Sequence, residues 1–154
     1  MDSIRKWLAI GTTHEAAQPD LLDRHGMGAV LLLSAPPQQP YGQSLCLPVR
    51  EGHYILPHTI EQGINFVHDQ RNMGQRILIA DETGTSRAPA FAIAALKDRG
   101  KLNLVDAYRA VLKTNPLAAP HPIYWESLCA FFNDEPSYDV LWYHISMLMT
   151  RYTT

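Results

Sequence analysis

The chain has 154 residues, 46% of them hydrophobic, enough for one core of ordinary size and too little for two. Charged residues make up 18% and the formal net charge is -2, so no basic excess points to nucleic acid or to an acidic membrane face. No apolar run approaches the roughly 18 residues of a spanning helix, and the opening MDSIRKWLAIGTTHE lacks the apolar core and cleavage site of a leader; the expectation is one cytoplasmic domain over 1–154.

KWLAIG (6–11) reads as a short strand, and EAAQPDLLDRHG (15–26) as a helix broken or started at Pro19 and stopped at Gly26. GAVLLLS (28–34) is a continuous branched apolar run, the pattern of a strand covered on both faces. APPQQPYGQ (35–43) is the clearest loop, followed by a strand in SLCLPV (44–49). In PHTIEQGINFVHDQRN (57–72), Ile60, Ile64 and Val67 recur at helical spacing with Phe66 close to the same face. RILIA (76–80) is the next buried strand, and APAFAIAALKDRG (88–100) an alanine-rich helix with Pro89 in its first turn and Gly100 as its stop. That helix is expected to be largely buried, because Ala90, Ile93, Ala94 and Leu96 leave little polar surface. Three further helices are read at 102–115, 121–134 and 137–152. With strands early and helices late, the fold expected is α/β, a small mostly parallel sheet flanked by helices. Trp125, Phe131 and Phe132 read as packing, and Tyr138, Trp142, Tyr143, Met147 and Met149 as a terminal segment that docks on the domain or, as the alternative, on a partner.

Cys46 and Cys129 each stand in an apolar stretch, as small buried hydrophobes do, so no disulfide framework is expected. The seven histidines show no metal-ligand spacing, and neither a metal nor another cofactor is expected. His53, His58 and His121 read as solvated or capping residues.

The stretch ILIADETGTSRAPAF (77–91) places a polar loop between a buried strand and a helix N-terminus. In an open α/β sheet the functional crevice lies beyond the carboxyl ends of the strands, which is where this loop falls. Converging backbone N–H groups at a helix N-terminus make an anion site, Gly84 permits the turn, and Arg87 offers a planar fork matched to phosphate oxygens. Taken on spacing alone, the favoured reading is that Gly84 and Ser86 form a turn and a helix cap, with Arg87 a surface charge.

The stretch resembles the signature loop of the cysteine-dependent protein phosphatases, His-Cys, five residues, then Arg. Residues 79–116 resemble the compact dual-specificity phosphatases, in which Gly-x-Ser-Arg-Ser-Pro opens a helix; Gly84, Ser86, Arg87 and Pro89 match. WLAIGTTHEAAQPDLLDRHGMGAVLLLS is similar to the family's opening strand, helix and strand, LPVREGHYILPHTIEQGINFV to its general-acid loop and following helix, and HPIYWESLCAFF to its closing helix. The resemblance implies a single dual-specificity-phosphatase-like domain whose phosphate-binding loop is 81–87, formed by Glu82, Thr83, Gly84, Thr85, Ser86 and Arg87 behind position 81. It also implies a phosphoprotein or small phosphate ester as the ligand and names no partner protein.

The catalytic positions depart from that pattern. The nucleophile position holds Asp81, the histidine before it is Ala80, and the general-acid aspartate aligns with Glu51, one methylene longer. Neither remaining cysteine has an arginine six residues on: Gly52 follows Cys46 at that distance and Glu135 follows Cys129. A carboxylate is a poor substitute for a thiolate, and aspartyl-phosphate chemistry generally enlists a metal. Two unit charges about 4 Å apart also repel by roughly 4 kcal/mol at an effective dielectric of 20, and a phosphate dianion meets twice that. Two explanations stand. In one, Asp81 is the anion the cradle holds, reaching its N–H groups and Arg87, and the chain is a natural pseudophosphatase that binds or scaffolds. In the other, an active protein tyrosine or dual-specificity phosphatase is silenced by a Cys-to-Asp substitution at 81, with Arg87, Ser86 and Glu51 as the remaining catalytic residues. Ala80 favours the first, since a designed inactivation changes one residue and leaves its neighbour.

Overall fold

The computed structural model describes residues 1–35, 41–100, 102–134 and Ser146; the middle of the proline-rich loop and, Ser146 apart, the expected terminal helix at 137–152 with Tyr138, Trp142, Tyr143, Met147 and Met149 lie outside the described residues. Five strands, β1 (Asp2–Arg5), β2 (Leu8–Thr12), β3 (Ala29–Leu32), β4 (Gln43–Cys46) and β5 (Ile77–Asp81), form one sheet in the order β1-β2-β5-β3-β4. Every pairing is parallel except β1 with β2. The chain leaves a gap between β2 and β3 that β5 fills later, so β5 emerges between two strands laid down long before it. This is the topological switch point where a crevice opens beyond the carboxyl ends of the strands. β1 was not legible: DSIR buries only Ile4, and one apolar residue sets no period.

The expected helix at 15–26 is two, α1 (Thr13–Ala16) and α2 (Pro19–Arg24). Pro19 starts the second because its missing N–H costs nothing in a first turn, and Gln18 before it is extended. Then come α3 (Pro57–Asn72), α4 (Arg87–Arg99), α5 (Leu104–Thr114) and α6 (Pro122–Phe132).

Alternation along the strands divides the core. Leu8, Ile10, Leu31, Ile77 and Ile79 join the large cluster under α3 to α6, whereas Ala9, Val30, Leu32, Leu78 and Ala80 face Ala16, Leu22 and Met27 on the other side. Asp81 shares the parity of Ile77 and Ile79 and so belongs to the α4 side. That helix is buried along Arg87–Leu96, as its apolar circumference predicts, and packs on β5, α3, α5 and α6. The α3–α4 approach depends on Gly63, where an added Cβ would lie 2.5 Å from Cε1 of the buried Phe91.

His68 on α3 is buried, with Nε2 3.5 Å from the Asp98 carboxylate. Burial lowers its pKa below the ordinary 6.5, assisted by the Arg99 and Arg71 cations and opposed by Asp98. A lowered folded pKa means that the unfolded chain takes up the proton first. The contribution is therefore complete above the unfolded value and is lost as pH falls through the folded one. Urea denaturation midpoints are expected to fall between about pH 7 and pH 5, and His68→Leu is expected to flatten that slope.

Candidate functional site

β5 ends on Asp81, α4 begins at Arg87, and the five residues between them turn the chain through Gly84, whose φ of +72° is the left-handed region. A Cβ there would also stand 3.1 Å from the Gly11 carbonyl oxygen on β2, so the loop lies tight against the neighbouring strand. Asp81 is 1% exposed. Its Oδ1 accepts from the N–H of Thr83 at 2.9 Å and from that of Gly84, and its Oδ2 accepts from the N–H of Ala88 at 2.7 Å. Ala88 is in the first turn of α4, where N–H groups have no partner within the helix. The carboxylate thus sits where the loop's donors and the positive end of α4 converge.

The rest of the loop is braced from outside. The Thr85 carbonyl accepts from the N–H of Ala119 at 2.7 Å, and the Ser86 hydroxyl accepts from the N–H of His121 at 3.2 Å. Ser86 precedes α4 without capping it, contrary to the capping alternative. Asn115 Nδ2 donates to the Gly84 carbonyl at 3.4 Å, and the Thr83 and Thr85 hydroxyls bond each other at 2.7 Å. Glu82 and Thr83 face solvent.

Arg87 is buried, which corrects its reading as a surface charge, and its Nη1 donates to the Val49 carbonyl at 2.9 Å. The expected contact between Asp81 and Arg87 is absent: the carboxylate is satisfied by backbone N–H groups, and the guanidinium reaches across to the loop that carries Glu51. Glu51 is exposed on that loop, at a turn completed by Gly52 with φ +73°.

Two residues that hold this second loop escaped the sequence reading. The Tyr124 hydroxyl accepts from the N–H of Gly52 at 2.9 Å and lies 3.4 Å from the Arg50 carbonyl, and the Ser127 hydroxyl accepts from the N–H of Ile55 at 3.0 Å. Both lie on α6 among apolar residues, and only their three-residue spacing on one helix face hinted at a shared task. Of the histidines, His53 and His58 are exposed, and His121 caps α6 by accepting from the N–H of Ile123 at 3.1 Å.

Cys46 is half-buried on β4, donates to the Ser34 carbonyl at 3.1 Å, and has its thiol pKa raised by burial. It is held as a thiol, away from the loop. No disulfide joins it to Cys129. Among the described residues no cluster of His, Cys, Asp and Glu could hold a metal ion, and no helix is long and apolar enough to cross a membrane.

No protein-family model matches the chain. Human dual specificity protein phosphatase 1 is 25% identical over 132 residues, covering 83% of this chain but 36% of its own length, so the chain spans about a third of that relative. Among solved structures, human DUSP28 superposes with a TM-score of 0.80 at 24% identity, over 86% of this chain and 96% of that one. The human tyrosine phosphatase-like serine/threonine/tyrosine-interacting protein superposes with a TM-score of 0.79 at 19% identity, over 86% and 95%. Sequence relatives and structural neighbours alike are dual-specificity phosphatases or phosphatase-like proteins, and the chain has the dual-specificity phosphatase fold.

Proposed function

We propose that this domain keeps a phosphatase's phosphate-binding loop, 81–87, with the cradle filled by its own Asp81, and that it acts by binding or scaffolding a phosphoprotein or phosphate-bearing partner without hydrolysing it. The observation that carries the reading is the Asp81 carboxylate, which accepts from the N–H groups of Thr83, Gly84 and Ala88. Those donors are what a phosphoryl group would use, and a carboxylate bonded to them leaves the incoming phosphate a negative charge where the attacking thiolate is needed. No thiol stands at the loop to form the covalent intermediate, and Cys46 is neutral on the far face of the sheet.

One observation favours a second reading, an active phosphatase altered at a single position. Arg87 is folded inward and tied to the Val49 carbonyl, and Glu51 remains exposed on the braced loop opposite, so the residues other than the nucleophile keep a serviceable arrangement. The parent is expected to show no turnover of an aryl phosphate. Asp81→Cys is the discriminating variant. If it hydrolyses the ester, and Glu51→Gln in that background lowers the rate by about a hundredfold or more, the second reading gains. If it stays inactive while folded, the second reading is given up. Turnover by the parent that disappears in Arg87→Ala would contradict the proposal.

A further inference from the structure

At the end of the sheet away from loop 81–87, three arginines far apart in sequence meet. Arg5 closes β1, Arg71 lies in the last turn of α3 and Arg99 in the last turn of α4; with Trp7 they line a cavity of about 340 Å³. Its apolar wall includes Leu96 and Leu102, and among the described residues no carboxylate lines it. The thirteen residues of α4 separate it from the phosphate loop by about 20 Å of helix.

The guanidinium groups are only lightly engaged. Arg5 Nη1 donates to the Ile4 carbonyl at 3.0 Å, Arg71 stacks 4.1 Å from the centroid of the Trp7 ring, and Arg99 Nε stands 4.0 Å from the Asp98 carboxylate. Held over the ring, the Arg71 guanidinium donates no side-chain hydrogen bond among the described residues. Against the three positive charges stand Asp98 and the negative ends of α3 and α4, each end equivalent to about half a charge. The balance remains positive.

We propose that this cavity is a second anion site that takes the clustered phosphate groups of a small polyphosphate. The guanidinium fork matches phosphate oxygens two at a time, and a compact polyphosphate can present several charges within one cavity of this size. An acidic peptide spreads its carboxylates along a backbone and delivers fewer of them to the same space. The volume is at the lower end of the roughly 300–1,000 Å³ of small-ligand sites. The source of the phosphates is either a free inorganic polyphosphate or a nucleoside polyphosphate whose base would use the wall of Trp7, Leu96 and Leu102.

The site has a reporter beneath it. His68 is buried with its ring 6.2 Å from that of Trp7, and both Arg71 and Arg99 hold its pKa down. An anion seated among those arginines offsets their charge and moves the His68 titration to higher pH. A polyphosphate bound elsewhere leaves it in place.

Calorimetric titration of the full chain with inorganic tripolyphosphate at low salt, with His68 followed by NMR, tests this. The expected result is saturable one-to-one binding, an upward shift of the His68 titration, and at least tenfold weaker binding in the double variant Arg71→Gln, Arg99→Gln. Lys113→Gln, on the exposed face of α5, should bind as the parent does. If the double variant does not fold, Arg99→Gln alone should weaken binding and blunt the His68 shift. Tighter binding of a nucleoside triphosphate than of tripolyphosphate identifies the nucleotide as the source, and equal binding identifies the free polyphosphate. Failure of the parent to bind tripolyphosphate, equal weakening by Lys113→Gln, or an unmoved His68 would overturn the proposal. Because Asp81 is not part of this site, the upward shift of the His68 titration should persist in Asp81→Ala, whose opened loop adds a binding event that leaves His68 in place, which separates this test from that of the phosphate loop.

Discussion

Asp81→Ala is expected to cost about 3 kcal/mol of stability at neutral pH. The carboxylate satisfies three backbone donors, and hydrogen bonds to a charged group are worth roughly 1.5–3 kcal/mol each, with entering water recovering part of the sum. For a chain of this size that is a drop of about 6–12 °C in Tm. Asp81→Asn preserves the shape and not the chemistry. Its oxygen can serve Thr83 and Gly84, but its NH2 then meets the N–H of Ala88, donor against donor, so a clear loss is expected there as well. Phosphate should restore part of the alanine variant's stability, by about 2.7 kcal/mol when present at 100 times its Kd, and should do little for the parent through this loop. Chemical denaturation of the parent and both variants, with and without phosphate, checks this; an alanine variant as stable as the parent would show that Asp81 does not hold the loop.

The second large effect is expected at Gly63, one helix behind the loop. A Cβ there would fall 2.5 and 2.6 Å from Cε1 and Cδ1 of Phe91, whose ring is buried on α4. Gly63→Val adds two methyl groups to that collision, and overpacking of this kind costs about 1–3 kcal/mol beyond any gain from removing a helical glycine. Relief should come from the partner. Phe91→Leu alone is destabilising, but in the Gly63→Val background it is expected to cost less than in the parent, a coupling of about 1 kcal/mol read from a double-mutant cycle by urea denaturation. Additive effects would mean that the two helices part instead of repacking, and loop 81–87 at the head of α4 would then be disturbed too.

Much of this was legible in the sequence where a pattern runs through contiguous residues. GAVLLLS and RILIA announced buried parallel strands by unbroken branched apolar runs, and APAFAIAALKDRG announced a buried helix by having no polar face until its last turn. The loop was read as a phosphate cradle because Gly84, Ser86, Arg87 and Pro89 resemble the signature loop of the family; spacing alone favoured a turn and a helix cap. What stayed hidden depends on distance along the chain. Nothing local in Arg87 says that its guanidinium ends on the Val49 carbonyl and not on Asp81, since that choice is made by loop 47–56 folding over the site. Tyr124 and Ser127 looked like ordinary positions of an apolar helix because their partners, Gly52 and Ile55, lie some 72 residues earlier. β1 was missed because a sheet edge with one buried residue has no period to detect. The arginine cluster was invisible for the same reason as the long-range bonds: a formal charge of -2 for the whole chain says nothing of three cations brought together from β1, α3 and α4.

The central claim is that Asp81 occupies the cradle, and residue-resolved NMR titration with inorganic phosphate tests it most directly, because it reports on the loop separately from the arginine cavity. The amides of Thr83, Gly84 and Ala88 are the reporters, being the donors the carboxylate uses. In the parent these three resonances are predicted to stay put as phosphate is added; in Asp81→Ala they are predicted to shift together and saturate along one isotherm. Parent amides that shift and saturate as readily as those of the variant would show that the cradle is open in the native chain and that the carboxylate does not fill it.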